Sequence, residues 1–392
     1  MLLKRNYKVI KKFYTLQYLM SLTQFYNCTA LLLALTFSSV YAQVNPNFNV
    51  TLLVDYRAVE QTISLIEGQY VSTSSVAELR GNKIAASTAG LIAGDRSFPL
   101  LLREYLDSLR YSQIIKNDIF NLEDVKRSSV EIRELLNELK MKNFARRVTA
   151  TVEQLFPPDA EISVSIPVYI VAIGHENADA FVRRIKWYGE NYQFVGENEG
   201  ELTIVINLTQ AVRYGRQLED RFLSLLGVVA HEVFHASFSA YKDQSRTWQQ
   251  FYTLHTNPLD KLLDLVQNEG IAYYLSLDQQ GKGSLPRDWN DRIRTAFSTF
   301  NANARELLSR NLTAARMSEI LRSANLSGYW ESYGSIAGMA IAREIDLQLG
   351  RSSLIETIAK GPYEFFVKYN KLVQGNTNLP VLDSTILQNT HD

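Results

Sequence analysis

His231 and His235 stand four residues apart, and Glu232 directly follows the first of them. The surrounding residues 222–236 are mostly apolar and have the periodicity of a helix rather than that of a strand. Because four residues make slightly more than one helical turn, both imidazoles project from the same helix face. Two imidazoles so arranged suit a tetrahedral zinc ion, and the adjacent carboxylate can reach a metal-bound water. The motif therefore predicts metal-assisted hydrolysis.

The same residues have two plainer interpretations, a chance match and a pair of core histidines. The chain contains only five histidines, so a chance match to His-Glu-x-x-His is rare. Burying two imidazoles and a carboxylate on an apolar helix is costly unless something pairs with them. A metal ion supplies that partner, which favours a zinc site over histidines of the core.

A catalytic zinc site needs a third protein ligand and an open fourth position. The compact extension His-x-x-Gly-x-x-His is absent, since Phe238 and Tyr241 occupy the places of its Gly and last His. A second helix, predicted to begin at Pro258, offers a carboxylate instead. Glu269 lies in the apolar half of that helix, where a carboxylate without a partner is expensive to bury. The competing ligands are two acids nearer the helix start and one loop histidine: Asp260, Asp264 and His255.

The His-Glu-x-x-His motif at residues 231–235 and the Asn-Glu-Gly-Ile-Ala run at residues 268–272 together resemble the gluzincin group of zinc metallopeptidases. Within that group the chain most resembles uncharacterised bacterial families of zinc-dependent peptidases, over residues 160–375. The resemblance implies Zn²⁺ held by His231, His235 and Glu269, with Glu232 as the general base. It also implies a small mixed sheet ahead of the motif helix, and we therefore expect an α+β fold that is mostly helical.

In the gluzincin group, the last strand before the motif helix often borders the cleft and can pair with an extended substrate. Residues 202–207 would then be the edge strand that holds peptide, and an ordinary interior strand is the alternative. Another strand is predicted over residues 162–173, where β-branched residues dominate. Residues 181–188 fit either a helical turn or a strand.

Four parts of the chain are predicted around the motif. A signal peptide (1–42) precedes a helical region packed on the catalytic part (43–158), the sheet with the two ligand helices (159–285), and a helical C-terminal subdomain (286–392). Residues 43–52 resemble an extended arm. Apolar residues at three- and four-residue spacing predict helices over 54–66, 74–91, 99–109, 130–155, 217–240, 288–308, 312–324, 330–349, 352–359 and 362–372.

The N-terminal 42 residues have the pattern of a secretory signal: basic residues, an apolar run at 30–37, and small residues before Gln43. An uncleaved membrane anchor is the alternative. Cleavage would remove Cys28, the only cysteine, so the mature chain would have no disulfide and no thiolate zinc ligand. We expect a protein that is secreted, periplasmic or at the cell surface, without a membrane span in the mature chain.

The overall charge also restricts the partners. The first 42 residues hold five basic residues and no acidic one, and removing those five from the 41 basic residues leaves 36 against 41 acidic ones. A mildly acidic mature chain without a basic patch gives no reason to expect a nucleic-acid partner. We expect a peptide or protein substrate, and the sequence leaves the oligomeric state open.

The sequence predicts an exported zinc metallopeptidase in which Glu232 accepts a proton from the zinc-activated water. Tyr333 is the candidate donor to the oxyanion, with a core aromatic as its alternative interpretation. Lesser candidates for that donor are Tyr273 and Tyr329. Two other functions fit the motif. One is a non-catalytic protein whose zinc is closed by a fourth ligand, His255 or Asp264. The other is a zinc hydrolase of non-peptide amide or ester bonds.

Overall fold

Many helices accompany one mixed sheet in the computed structural model, so the α+β, mostly helical class predicted from sequence is confirmed. The structure describes residues 45–95, 97–111, 115, 117–196, 199–279, 285–309, 311–325, 332–376 and 378–388. The predicted signal peptide and Tyr329 lie outside these residues. The described residues from Pro46 onward form one compact unit, and the predicted divisions at residues 158 and 285 stay predictions.

The sheet has the strand order β1-β2-β5-β3-β4. Its strands are β1 (Phe48–Asp55), β2 (Ile162–Val171), β3 (Ala180–Tyr188), β4 (Asn191–Phe194) and β5 (Glu201–Asn207). The first two strands and β5 are parallel, whereas β3 runs antiparallel to β5 and to β4. Residues 181–188 therefore belong to a strand, which settles the choice left open by their sequence.

The extended arm predicted over residues 43–52 is wrong from Phe48 onward, because β1 pairs with β2 from Phe48 opposite Ile162 to Asp55 opposite Tyr169. Val50 and Leu52 are buried while their neighbours in sequence point outward, which is the two-residue alternation of a strand. The helix expected from residue 54 accordingly begins only at Arg57.

Seven helices occupy the described residues between β1 and β2. They are α1 (Arg57–Ile66), α2 (Thr73–Glu78), α3 (Arg80–Ala93), α4 (Phe98–Arg110), α5 (Leu122–Arg127), α6 (Ser129–Met141) and α7 (Phe144–Glu153). The predicted helix over 130–155 is split in two at Asn143, whose φ of 47° lies in the left-handed region that asparagine tolerates.

The two helices that carry the motif residues follow β5. After the short α8 (Leu208–Ala211), the chain forms α9 (Leu218–Gln244), α10 (Arg246–Leu254) and α11 (Pro258–Gln279). Reciprocal backbone-to-side-chain hydrogen bonds of 3.0 and 3.1 Å between Asn257 and Asp260 cap the start of α11. Among the described helices, α9 alone is long and apolar enough to cross a membrane, a test that buried core helices also pass.

The remaining helices form the C-terminal layer. They are α12 (Trp289–Leu307), α13 (Ala314–Ala324), α14 (Tyr333–Leu349), α15 (Arg351–Lys360), α16 (Pro362–Gly375) and α17 (Ser384–Gln388). The centre of this layer is α14, which is buried at every position from Tyr333 to Ala342 and packs along α11. Gly270 and Gly338 meet at their crossing, where a Cβ on Gly270 would lie 2.2 Å from the Gly338 backbone. Only glycine permits this approach, which fixes the position of the neighbouring Glu269.

Candidate metal centre

The motif histidines lie on α9 and the predicted third ligand lies on α11, so the antiparallel packing of these two helices builds the site. The helices approach each other closely at Gly227, where a Cβ would lie 2.9 Å from the Ser276 carbonyl oxygen. The Ser276 hydroxyl donates a hydrogen bond of 2.9 Å to the Gly227 carbonyl. This contact holds the helices together one turn away from His231.

The structure brings His231, His235 and Glu269 together. The two imidazole Nε2 atoms are 3.0 Å apart, and Glu269 Oε2 lies 3.6 Å from His235 Nε2 and 3.9 Å from His231 Nε2. Ligands at about 2.0–2.2 Å from a tetrahedral zinc ion are roughly 3.3–3.6 Å apart, so these separations fit zinc after small side-chain movements. Within the described part of the chain, this is the one group of three or more such side chains that could hold a metal ion.

The residues that competed with Glu269 are occupied elsewhere. Asp260 accepts a hydrogen bond from the Tyr363 hydroxyl, and the same hydroxyl lies 3.1 Å from His255 Nδ1. Asp264 forms an ion pair with Lys242 and accepts a hydrogen bond of 2.8 Å from Tyr252. None of the three candidates belongs to the metal-binding group.

Two asparagines hold the ligands in place. Asn268 Oδ1 lies 3.0 Å from Nδ1 of His235, so that nitrogen carries the proton and Nε2 presents its lone pair to the site. Asn325, at the end of α13, lies near Glu269 and acts to lower the pKa of its carboxyl group. Sequence analysis missed both roles. Asn268 could have been found from its position beside Glu269, but nothing local to Asn325 indicates that α13 ends at the site.

In the absence of a metal ion, the two histidines of the cluster have very different pKa values. Burial and the neighbouring His235 lower the pKa of His231 to about 3. Burial also acts to lower the pKa of His235, but the charge of the nearby Glu269 outweighs it and raises that pKa to about 9. For Glu269, burial acts to raise the pKa, but the charge of His235 prevails and lowers it. One proton therefore supplies the positive charge beside the carboxylate, and a bound cation would replace it.

Glu232 is partly exposed and lines the same cleft as His231. Burial raises its pKa, and Glu269 acts in the same direction, while His235 opposes them. A carboxylate whose pKa moves towards neutrality accepts and returns a proton more readily near pH 7. The environment of Glu232 thus suits proton transfer rather than metal binding.

The cleft has a volume of about 660 Å³. Its walls come from α3, the loop before β3, the first half of β3, α9 and α11; the lining residues are Thr88, Ile92, residues 177–183, Val228, His231, Glu232, Tyr273 and Ser276. The ring of Tyr273 packs edge-on against His231, with centroids 4.5 Å apart. His175 lies just before the lining loop, where its Nδ1 accepts a hydrogen bond from the Asn177 amide.

The expectation that residues 202–207 form the edge strand of the cleft is wrong. They lie in β5, which is interior because it pairs with β2 on one side and with β3 on the other. It is β3 that borders the cleft. Beyond β3, β4 pairs only with residues 185–188, and no described strand pairs on that side with residues 180–183. The sequence could not reveal this, since strand order depends on contacts distant in the chain.

Tyr333 is not among the residues that line the cleft. Its buried hydroxyl donates a hydrogen bond of 3.0 Å to the Ile320 carbonyl on α13, and burial raises its pKa to about 12. These contacts match the core-aromatic interpretation, in which Tyr333 joins α13 to α14. Tyr273, a lesser candidate from sequence, lies in the cleft instead.

A comparison with protein-family models matches residues 75–378 to a family described as "Putative zinc dependent peptidase (DUF5700)". The matched residues make up well over half of the chain and include β2 to β5, both ligand helices and the cleft. No curated protein and no solved structure matches the chain.

Proposed function

The chain belongs to this family of zinc-dependent peptidases, and from that premise we propose that it hydrolyses peptide bonds with a zinc-activated water. The observation that carries the proposal is the cluster of His231, His235 and Glu269, of which His231 lines a cleft together with Glu232. Three protein ligands leave a fourth tetrahedral position for water, which is the arrangement of catalytic zinc.

His231, His235 and Glu269 would hold the ion. When bound, zinc acidifies the water and polarises the scissile carbonyl. Glu232 accepts the water proton on its carboxylate and delivers it to the nitrogen of the leaving amine. Its raised pKa supports both halves of this transfer, since a stronger base takes the proton and its acid form returns it.

A hydroxyl donor to the oxyanion completes the proposal. We place Tyr273 ahead of Tyr333 in this role, because Tyr273 lines the cleft beside His231 whereas the hydroxyl of Tyr333 is bonded to a helix carbonyl. Substitution of each by phenylalanine separates the two. We expect the Tyr273→Phe variant to lose kcat and the Tyr333→Phe variant to lose mainly stability.

The segment 180–183 of β3 is the proposed substrate-binding edge. An extended peptide laid along it would continue the sheet by backbone hydrogen bonds, with its scissile bond over the metal cluster. Backbone hydrogen bonds of this kind can form with a peptide of any sequence. The side chains that line the cleft would therefore set the preference for particular substrate residues.

The alternative of a closed, structural zinc requires a fourth protein ligand. His255 and Asp264 were the candidates, and both are bonded to other groups outside the cluster. This favours an open site and hence an enzyme. Export to the periplasm, cell surface or medium remains part of the proposal, carried by the sequence of residues 1–42 alone.

Metal analysis and a substrate screen test the proposal together. We expect about one zinc per wild-type chain, weak retention in Glu269→Gln, and cleavage of casein or a peptide library by wild type but not by Glu232→Gln. A wild type that binds zinc yet cleaves only non-peptide amides or esters would replace the peptidase with the broader hydrolase. A protein that takes up no zinc after reconstitution would refute both.

A further inference from the structure

Arg183 stands in the segment of β3 that lines the cleft, among the residues that share it with His231 and Glu232. Its side chain is half-buried, with the guanidinium 5.2 Å from the ring centre of Phe181 and 5.7 Å from that of Phe194. Attraction between a guanidinium and aromatic rings limits its movement without using its N–H donors.

No carboxylate of the described residues lies within ion-pair distance of Arg183. One terminal nitrogen donates to the carbonyl of the adjacent Val182 at 3.0 Å, and Nε is buried without a hydrogen-bond partner. Burial lowers the pKa of the guanidinium, and no neighbouring acid opposes that change.

Several other buried or half-buried cations of the described residues have an acidic partner. Lys242 has Asp264, Lys368 has Glu356 and Arg351 has Asp346. A guanidinium withdrawn from water without a counter-charge lowers stability, whereas an anion bound to it restores the lost interactions. Its planar set of donors matches a carboxylate with two parallel hydrogen bonds.

We propose that Arg183 is the anchor for a carboxylate of the substrate, bound in the cleft beside the metal cluster. The inference deepens the proposed peptidase function and rests on it. The carboxylate is either the C-terminus of the peptide, which would make the enzyme a carboxypeptidase, or an acidic side chain, which would make it an endopeptidase selective for Asp or Glu. Both sources share the same chemistry at Arg183.

Peptide binding tests this without requiring turnover. The zinc-loaded Glu232→Gln protein is titrated into three alanine-rich decapeptides that carry an uncharged fluorophore at the N-terminus, and binding is followed by fluorescence anisotropy. One peptide has a central Glu and a C-terminal amide, the second a central Gln and a free C-terminus, and the third a central Gln and an amide. Arg183→Met and Arg183→Lys are added to this background, with Arg184→Met as the matched control.

Arg184 is a suitable control because consecutive strand residues point to opposite faces, and its guanidinium contacts the Gly200 carbonyl at 3.5 Å. We expect one carboxylate peptide to bind roughly tenfold or more tightly than the neutral one, as for a charged hydrogen bond. Arg183→Met should abolish that difference, Arg183→Lys should keep part of it, and Arg184→Met should leave it unchanged. The preferred peptide identifies the source of the carboxylate.

Equal affinity for charged and neutral peptides, including no measurable binding of any, would overturn the anchor. So would a preference that survives Arg183→Met. Zinc content and thermal melting check that each variant folds. If Arg183→Met does not fold, Arg183→Lys is used for the test instead. Incubating the same peptides with wild type separates the two proposals. Cleavage that does not depend on Arg183 would support the peptidase and rule out the anchor. Binding that depends on Arg183 without any cleavage would support the anchor and rule out the peptidase.

Discussion

The helices α9 and α11 carry two buried polar clusters, and they differ in where the positive charge comes from. In one cluster Glu269 lies beside His231 and His235, next to an open cleft. In the other Asp264, five residues earlier on α11, is paired with Lys242, which also lies 4.2 Å from the ring centre of Phe238. The second cluster is neutralised by the chain itself. The first has no cation of its own except a proton on His235.

This difference explains which acid is placed to serve as a metal ligand. Asp264 and Glu269 both stand among apolar residues of the same helix, and either carboxylate would be costly to bury without a partner. Lys242 on the facing helix neutralises Asp264, so the charge of that carboxylate is already balanced without a metal ion. Histidines face Glu269 instead, and their lone pairs add to its charge as ligands for a cation.

The largest expected effect separates catalysis from stability. Glu232→Gln should lower kcat by about 10²–10⁴-fold, because the general base is removed while all three ligands remain. Asp264→Asn should leave kcat per folded molecule unchanged. Steady-state kinetics on zinc-quantified protein measure both. Equal losses in the two variants would mean that the clusters are not functionally distinct.

The paired cluster should respond to substitution in its stability. Lys242→Met leaves the Asp264 carboxylate without its counter-charge and should reduce the free energy of unfolding by about 3–5 kcal/mol. The double variant Lys242→Met/Asp264→Leu should recover most of that loss, since neither charge remains. Urea unfolding of zinc-loaded proteins gives the values, with zinc content expected to stay at the wild-type level. A double variant no more stable than the single one would contradict a closed ion pair.

The metal cluster should be sensitive to its supporting asparagine. Asn268→Ala frees the proton-bearing nitrogen of His235 and should weaken zinc binding by about 10–100-fold. Asn268→Asp, which keeps an acceptor at the same place, should bind zinc at least as well as wild type. Competition with a chromophoric chelator measures both affinities. Unchanged affinity in the alanine variant would show that His235 is oriented by packing alone.

A feature of the site could be predicted from the sequence where residues close to it in the chain determine it. The spacing of His231 and His235 fixes their shared face through helix geometry, and Glu269 is marked by the cost of a carboxylate in an apolar helix half. The two clusters could not be told apart in the same way. Asp260 and Asp264 remained competing ligands because their partners, Tyr363 and Lys242, come from other helices.

The errors in the sheet have the same origin. Strand alternation in residues 48–55 was a local signal that the prediction of an arm overlooked, whereas the interior place of β5 could not be read locally at all. The cleft is bordered by β3 rather than by β5, because β3 pairs antiparallel with the side of β5 that faces away from β2. Arg183 therefore went unnoticed, since its significance depends on an edge that only the folded sheet creates.

The smallest expected effect concerns the proton that stands in for the metal. The pKa of His235 near 9 means that this imidazole is protonated below that pH, and zinc must displace the proton to bind. The pKa of His231 near 3 means that it has already lost its proton. Zinc affinity should therefore fall by about tenfold when the pH is lowered from 6.5 to 5.5, with one proton released per ion.

Calorimetry in buffers of different ionisation enthalpy counts that proton directly. The double variant Lys242→Met/Asp264→Leu should give the same count, since its cluster has no part in holding the metal. A release of two protons would mean that both histidines are charged in the metal-free protein. A release of none would mean that Glu269 lies beside two neutral imidazoles, and the contrast with the lysine-paired Asp264 would then rest on geometry rather than on charge.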